Sequence, residues 1–381
     1  KFGLKAIHHH FYPGDITLDA QDGLISEFHL QDKRALEYAA YLSDELKLGA
    51  RTTLKLGLRA SAFQNMGQDV VYDYDENYEV VDSSAYGANE IFNTYGGLEP
   101  RAGLKFMVDE KSSVKASYSR TRQYVKLAQN STSGTPLDVW FPASPNIKPQ
   151  YSDQFALGYF RNFLDDGLEV SFEGYYKNME NTIDFKDHAD MLMNPKMEGE
   201  LRIGNSYSYG AEFMARYNGD KFYGWLSYTY SKAWRKVPGI NDGERYLAPY
   251  DKPHNISVVA TYEMTNRLSI SANWVYASGQ PATFPTGRYE YAGKYIPVYA
   301  NRNENRYPDY HRLDLSVNLK GKDKSWKKWQ GDWSFSLYNA YARKNAWTIN
   351  FEQDPNDPSR VFAEKTYLFS IIPAITYNFK F

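Results

Sequence analysis

Residues 310–320 read YHRLDLSVNLK, and apolar and polar side chains alternate along them with a period of two. The apolar positions are Leu313, Leu315, Val317 and Leu319. The polar positions between them are Arg312, Asp314, Ser316 and Asn318. Because successive side chains of a β-strand point to opposite faces, this stretch predicts a strand with one apolar and one polar face.

The same alternation recurs along the whole chain, for example at 168–173, 256–262 and 268–276. It predicts fourteen strands, with bounds good to a few residues. These lie near 2–12, 33–46, 51–63, 97–108, 112–123, 150–163, 167–178, 203–218, 221–235, 253–264, 267–278, 310–320, 331–343 and 364–381.

The connections between the predicted strands alternate strictly between short and long. The short turns lie at 47–50, 109–111, 164–167, 219–220, 264–267 and 321–331. The long connections lie at 13–32, 64–96, 124–149, 179–202, 236–252, 279–309 and 344–363. This is the wiring of an up-and-down antiparallel sheet, and outer-membrane barrels have short periplasmic turns and long extracellular loops.

Composition supports an all-β transmembrane barrel. The 34 Tyr, 21 Phe and 8 Trp make up 17% of the chain, and strands favour such residues. Mean hydropathy is -0.64, and no apolar run approaches the roughly 20 residues of a membrane-spanning helix, which excludes a helical membrane protein. In a barrel only alternate residues meet lipid, so a polar average is compatible with it.

Charge and cysteine content exclude several other classes. A net charge of -2, from 46 acidic and 44 basic residues, gives no footprint for nucleic acid. With no cysteine, the chain has no disulfide and no thiol chemistry. Several predicted strands are longer than the five or six residues typical of soluble sheets, which favours a membrane barrel. A soluble glycan-binding β protein is an alternative to a membrane barrel.

From residue 146 onward, the amino-acid sequence resembles the C-terminal half of the barrel in TonB-dependent outer-membrane receptors. The resemblance is to receptors of Bacteroidetes-type bacteria. The matching segments are NIKPQYSDQFALGYFRNF (146–163), RIGNSYSYGAEF (202–213), INDGERYLAPYDKPHNISVV (240–259), RNENRYPDYHRLDLSV (302–317) and SFSLYNAYARKNAW (334–347). The resemblance covers about residues 97–381 and is weaker before them.

The resemblance implies a plugged barrel of about 22 strands. Residues 1–381 are then expected to be the C-terminal portion of the β-barrel domain, with the plug domain and the first strands outside this chain. The implied function is active import of a scarce nutrient by an integral protein of the bacterial outer membrane. No enzymatic function is implied. A passive channel of fourteen strands, or a structural surface barrel, is the alternative.

The resemblance also implies partners. The TonB complex would act through the N-terminal region absent here, and outer-membrane lipid and lipopolysaccharide would surround the wall. Barrel-assembly machinery would recognise the last strand, which ends at Phe381. A surface lipoprotein is a further candidate, and no nucleic acid is expected.

Ligand contacts are expected at the tips of the long loops, where binding residues concentrate on a rigid scaffold. Aromatic faces with a few charged groups suit stacking on sugars, haem-like rings or aryl siderophores. The candidates are Tyr72, Tyr74, Trp140, Phe141, Trp234, Arg288, Tyr289, Tyr291 and Tyr295. Interface girdle or loop packing is the alternative interpretation for each of them.

No hydrolytic motif is present, so no catalytic residue is assigned. Asp73, Asp75, Glu76 and Glu79 could supply oxygen ligands to Ca²⁺ in an extracellular loop, although no EF-hand spacing is matched, and a solvated acidic loop is the alternative. No other cofactor is expected. Arg312 and Asp314 share one strand face and predict an ion pair in the barrel wall. For Arg302, Arg306 and Asp251 a structural role is favoured over ligand choice.

Overall fold

The computed structural model describes residues 1–17, 27–128, 139–191, 194–322, 329–354, 356–357 and 360–380. Fourteen strands pair antiparallel, in chain order, within one sheet. They are β1 (Phe2–Phe11), β2 (Lys33–Leu48), β3 (Thr52–Met66), β4 (Ile91–Asp109), β5 (Ser112–Gln123), β6 (Gln150–Phe163), β7 (Leu168–Phe185), β8 (Leu201–Asn218), β9 (Phe222–Lys236), β10 (His254–Glu263), β11 (Leu268–Ala277), β12 (Tyr310–Lys320), β13 (Gln330–Tyr338) and β14 (Ile372–Lys380). The all-β up-and-down architecture and its fourteen predicted strands are confirmed, whereas a total of 22 stays a prediction.

Some strand bounds differ from those expected. The stretch expected at 364–381 is divided, because Val361–Thr366 pairs with Thr348–Gln353 inside the last long connection and only Ile372–Lys380 joins the sheet. An alternating pattern cannot distinguish these two pairings, because it shows which side chains share a face and not which strand lies alongside. The expected last residue of the final strand, Phe381, lies outside the described residues.

The register separates an apolar face from a polar face. Residues directly opposite one another in an antiparallel sheet point to the same side. One row of paired residues contains Leu46, Leu54, Leu104, Ala116 and Leu157. The adjacent row, one residue along each strand, contains Lys47, Thr53, Lys105, Lys115 and Gly158. The apolar face is exposed over its length, as Leu157 at 60% shows, which is the arrangement of a lipid-facing barrel wall.

The long connections fold over the polar face and carry secondary structure of their own. Paired strands occur at Asp69–Tyr74 with Val80–Tyr86, Val125–Ala128 with Val139–Pro142, and Pro285–Tyr291 with Lys294–Tyr299. The main hydrophobic cluster lies among these connections and comprises Ala128, Phe141, Ile147, Ile183, Phe185, Met191 and Leu201. Among the described residues, no helix has the length and apolar character needed to cross a membrane.

Candidate functional site

A cavity of about 270 Å³ lies between the hairpin Asp69–Tyr86 on one side and two connections on the other. These are the connection before β6 and the connection after β7. Hairpin residues Tyr74, Asp75, Glu76 and Tyr78 line one side. The other side comprises Asn146, Ile147, Glu198, Leu201 and Ile203. The structure therefore brings one predicted ligand contact, Tyr74, together with two predicted Ca²⁺ ligands, Asp75 and Glu76.

The tip of the hairpin is shaped by Asp75. Its Oδ1 accepts hydrogen bonds from the backbone N–H groups of Asn77 at 2.8 Å and Glu79 at 2.9 Å. Tyr78 adopts a left-handed backbone with φ of 66°, and the guanidinium of Arg202 lies 3.5 Å from the centre of its ring. Asp side chains commonly stabilise turns in this way. The turn fixes Tyr74 and Tyr78 at the cavity wall.

Glu198 is the buried charge of this site. Its Oε1 lies 3.1 Å from Lys33 Nζ, and its Oε2 accepts hydrogen bonds from Ser144 at 3.0 Å and Asn146 at 2.9 Å. Burial alone would raise the pKa of the Glu198 carboxyl, but Lys33 and these hydrogen bonds outweigh burial and lower the pKa. The cavity therefore contains a fixed negative charge tied to the wall strand β2.

Tyr74 stays protonated beside that charge. Burial, with a further effect of Glu198, raises the pKa of the Tyr74 phenol to about 12. Its hydroxyl donates to the carbonyl oxygen of Lys196 at 3.3 Å. Asp69 lies 3.9 Å from Lys33, and burial raises the pKa of its carboxyl. Phenols, carboxylates and one amide can bind and orient a ligand here, and no nucleophile–base pair is among the lining residues.

A second cluster, which we call the Asp184 network, ties three long connections to the polar face. The Asp184 carboxylate, 5% exposed, accepts from Arg235 at 3.0 Å, Arg302 at 2.9 Å and the Tyr246 hydroxyl at 2.7 Å. Arg302 also donates to Asp187 at 2.6 Å and to the carbonyl oxygen of Phe185 at 2.7 Å. One buried carboxylate thus holds segments more than 100 residues apart in sequence.

Two further charges are buried among the connections. Asp251 accepts from the backbone N–H of Ala233 at 2.7 Å and pairs with Arg306. Lys126 is 3% exposed and donates to the carbonyl oxygens of Lys148 at 2.9 Å and Asn181 at 2.7 Å. Burial lowers the pKa of the Lys126 ammonium to about 7. A neutral amine has two N–H donors, which matches the two carbonyl acceptors.

The other predicted contacts lie elsewhere, and none of them lines the cavity. Tyr72 supplies the carbonyl oxygen that accepts from Asn146 at 3.0 Å. Phe141 is buried against Phe185, whereas Trp140 beside it is 58% exposed. Trp234 lies under the guanidinium of Arg245.

Arg288, Tyr289, Tyr291 and Tyr295 all belong to the hairpin Pro285–Tyr299. Arg288 lies 5.1 Å from the ring centre of Tyr295, and Tyr289 and Tyr291 are exposed. This hairpin therefore presents two aromatic rings outward and keeps a third beneath a guanidinium.

The predicted Ca²⁺ ligands do not gather into a metal site. Across the described ranges, no group of three or more His, Asp or Glu side chains could hold a metal ion. Asp73 faces Asp82 across the hairpin, and Glu79 follows the Asp75 turn. Ca²⁺ binding stays a prediction for this loop.

Arg312 and Asp314 lie within the wall. Their Nη2 and Oδ2 atoms are 2.9 Å apart. Arg312 also donates to the hydroxyls of Tyr310 at 3.0 Å and Tyr338 at 2.8 Å. The backbone N–H of Asn339 donates to Asp314 at 2.9 Å. The pair joins β12 to β13.

Comparison with known proteins gives one matching family model, described as "TonB dependent receptor-like, beta-barrel", over residues 10–343. No curated protein matches. Many solved structures share the fold, and three of them are described here. The ferric-catecholate import receptor Fiu of Escherichia coli K12 has a TM-score of 0.58 and 17% identity, over 99% of this chain and 51% of that one.

The ferripyoverdine receptor of Pseudomonas aeruginosa has a TM-score of 0.59 and 12% identity, over 99% of this chain and 45% of that one. The copper transporter OprC has a TM-score of 0.58 and 15% identity, over 90% of this chain and 49% of that one. The chain thus spans about half the length of the solved structures it matches.

Proposed function

This chain belongs to the TonB-dependent receptor-like β-barrel family, and on that premise we propose that it forms wall and ligand-binding loops for the active import of a scarce nutrient. Members of the family are integral proteins of the bacterial outer membrane. The single observation that carries the proposal is the family match over residues 10–343, which includes almost the whole sheet and six of the seven long connections.

The geometry supports capture of a ligand on the long-loop side. The cavity beside Tyr74 is lined by phenols and carboxylates, and the buried charges around it are paired, so the loops form an ordered surface. Binding residues commonly lie on loops held by a rigid scaffold. The proposed contact residues are Tyr74 in the cavity and, elsewhere in the long connections, the exposed rings of Trp140, Tyr289 and Tyr291.

The ligand class is suggested by proteins of the same fold. Fiu is a ferric-catecholate import receptor, the Pseudomonas protein was solved with ferripyoverdine, and OprC is a copper transporter. By extension, the ligand of this protein carries a transition metal. Release from the loops would draw on the TonB complex of the inner membrane, since a barrel wall has no energy source of its own.

The test is uptake of a labelled metal chelate by cells that contain or lack TonB. We expect accumulation only when TonB and the proton motive force are both present, because the import is active. A matched variant, Tyr74→Ala, should raise the concentration for half-maximal uptake, whereas Tyr12→Ala, at an exposed position away from the cavity, should not. Uptake that persists without TonB would overturn the proposal in favour of a passive channel.

A further inference from the structure

The apolar face of the wall contains a groove near the long-loop end of β10, β11 and β12. Its volume is about 530 Å³, and it is lined by Ile256, Trp274, Tyr276, His311 and Tyr341. Ile256, Tyr276 and His311 are paired directly in one row, and Trp274 precedes Tyr276 by two residues on β11. Residues related in this way share one face of the sheet. The same row includes Phe172 on β7, which is 57% exposed, so the groove faces outward with the lipid-facing wall.

One side of the groove exists because the chain turns where β13 ends. Directly after β13, Asn339 and Ala342 both have a left-handed backbone with φ of 54°. The hydroxyl of Tyr341, between them, lies 2.7 Å from His311 Nδ1 and shares a hydrogen bond with it, and the two ring centres are 5.4 Å apart. The turn therefore holds Tyr341 beside β12 and gives the groove a side that a flat sheet lacks.

The polar ends of the lining rings are already bonded to protein. The Tyr276 hydroxyl donates to Asp309 Oδ2 at 2.7 Å, and Asp309 Oδ1 accepts from the backbone N–H of Gly279 at 2.9 Å. Tyr341 and His311 satisfy each other. Rings whose polar ends are satisfied present mainly carbon to the space between them. Rings with an apolar body and a polar tip lie well at the level where acyl chains meet headgroups.

Arg343 places a cation at the same end of the groove. Its Nε donates to Asn345 Oδ1 at 3.2 Å, and that oxygen also accepts from the backbone N–H of His311 at 3.2 Å. Its Nη2 donates to the carbonyl oxygen of Asp309 at 2.9 Å. A guanidinium has five N–H donors, and within the described part of the chain these two bonds are made and no ion pair is formed. A held guanidinium with donors to spare matches the oxygens of a phosphate.

We propose that this groove binds one phosphorylated lipid of the outer membrane in a fixed position, with an acyl chain between Trp274 and Tyr341 and the phosphate on Arg343. The groove is continuous with the lipid-facing wall, which selects a lipid over a soluble ligand. Its charge is complementary as well, since carbon lines the groove and the cation lies at its headgroup end. The volume is within the range of small-molecule sites, so one chain is enclosed where a flat wall would let lipids exchange.

The test is native mass spectrometry of the detergent-solubilised protein with added lipid A, a phosphorylated glycolipid, and with its dephosphorylated form. The variant Ile256→Trp should lose the bound lipid, because an indole fills the groove while the position still suits a lipid-facing ring. The matched control Leu157→Trp adds the same ring to the same face, outside the groove, and should retain the lipid. Inorganic phosphate should not displace the lipid, because it offers nothing to the apolar part of the groove.

The phosphate contact is tested with Arg343→Gln, which should bind lipid A roughly tenfold more weakly and bind the dephosphorylated lipid as the unchanged protein does. Arg343→Lys keeps the charge and should restore most of the difference. The control is Arg120→Gln, because Arg120 also lies on the outward face but pairs with Asp153 at 2.7 Å, and this variant should keep the preference for phosphate.

Three results would each overturn the assignment. They are retention of the lipid in Ile256→Trp, an equal loss in Leu157→Trp, and an unchanged preference for the phosphorylated lipid in Arg343→Gln. Lipid retention needs neither TonB nor the imported ligand. Failure of the groove would therefore leave the proposed import function intact, and TonB-independent uptake would leave the groove intact.

Discussion

Replacing Asp184 by Asn should loosen the long connections of this protein without disrupting the wall. The carboxylate accepts from two guanidinium groups and one phenol, and the side chains of Asp184, Arg302 and Arg235 are only 5%, 15% and 17% exposed. Removing one partner of a buried ion pair costs about 3–5 kcal/mol, because the remaining charge stays buried and unpaired. An amide keeps the shape and one acceptor, so the lower end, about 3 kcal/mol, is expected.

The assay is amide hydrogen exchange. A loss of about 3 kcal/mol corresponds to faster opening by roughly a hundredfold, since 1.4 kcal/mol is a factor of ten. The informative amides are those of Arg302, which donates to Asn241 at 2.8 Å, and Asn303, which donates to Thr283 at 3.0 Å. Both lie in the connection between β11 and β12, which the Asp184 network holds, so they should exchange faster while amides within β10 and β11 do not.

The matched control is Asp187→Asn. Asp187 pairs with the same Arg302 at 2.6 Å but is 58% exposed, so its loss should cost at most about 1 kcal/mol. Equal acceleration of exchange in the two variants, or an unchanged amide of Arg302 in Asp184→Asn, would contradict this role of the buried carboxylate. Either result would mean that packing of the loop core, and not the buried carboxylate, holds these connections.

Three further outcomes are expected. Protection of loop amides should increase with pH between about 7 and 10.5, because the unfolded chain binds a proton at Lys126 that the folded loop excludes. The variant Lys126→Met should flatten this rise. Leu157→Arg on the apolar face should cost about 2–4 kcal/mol in urea unfolding from lipid vesicles, whereas Gln154→Arg on the polar face should change stability by less than about 0.5 kcal/mol. Glu198→Gln should destabilise the cavity by about 1.5–3 kcal/mol, seen as faster exchange at Ile147, while the exposed Glu76→Gln should leave that amide unchanged.

The wall could be predicted from the sequence because its signal is local. In β12, apolar positions such as Leu313 alternate with polar positions such as Arg312, so about ten residues contain the whole pattern. The ends of the wall strands were harder to predict from the sequence. Val361–Thr366 forms a strand but pairs within a loop, since pairing depends on which partner lies nearby in space and not on the local sequence alone.

The site could be predicted only in part. Tyr74 and Glu76 were recognisable because aromatic and acidic residues cluster within one loop. Glu198 and Asn146 were not, since they reach the cavity from connections 52 residues apart and neither carries a local signal. The Asp184 network also lacks a local sequence signal, because its arginines come from a wall strand and a distant loop. Long-range charge pairs have no sequence spacing to detect.

The pairing of charges among the long connections follows from their burial. Where the connections cover the face, each carboxylate must be paired, because an isolated buried charge is too costly. Glu198, Asp184 and Asp251 each have a cationic partner for that reason. Lys126, which has none, avoids the cost by a lowered pKa.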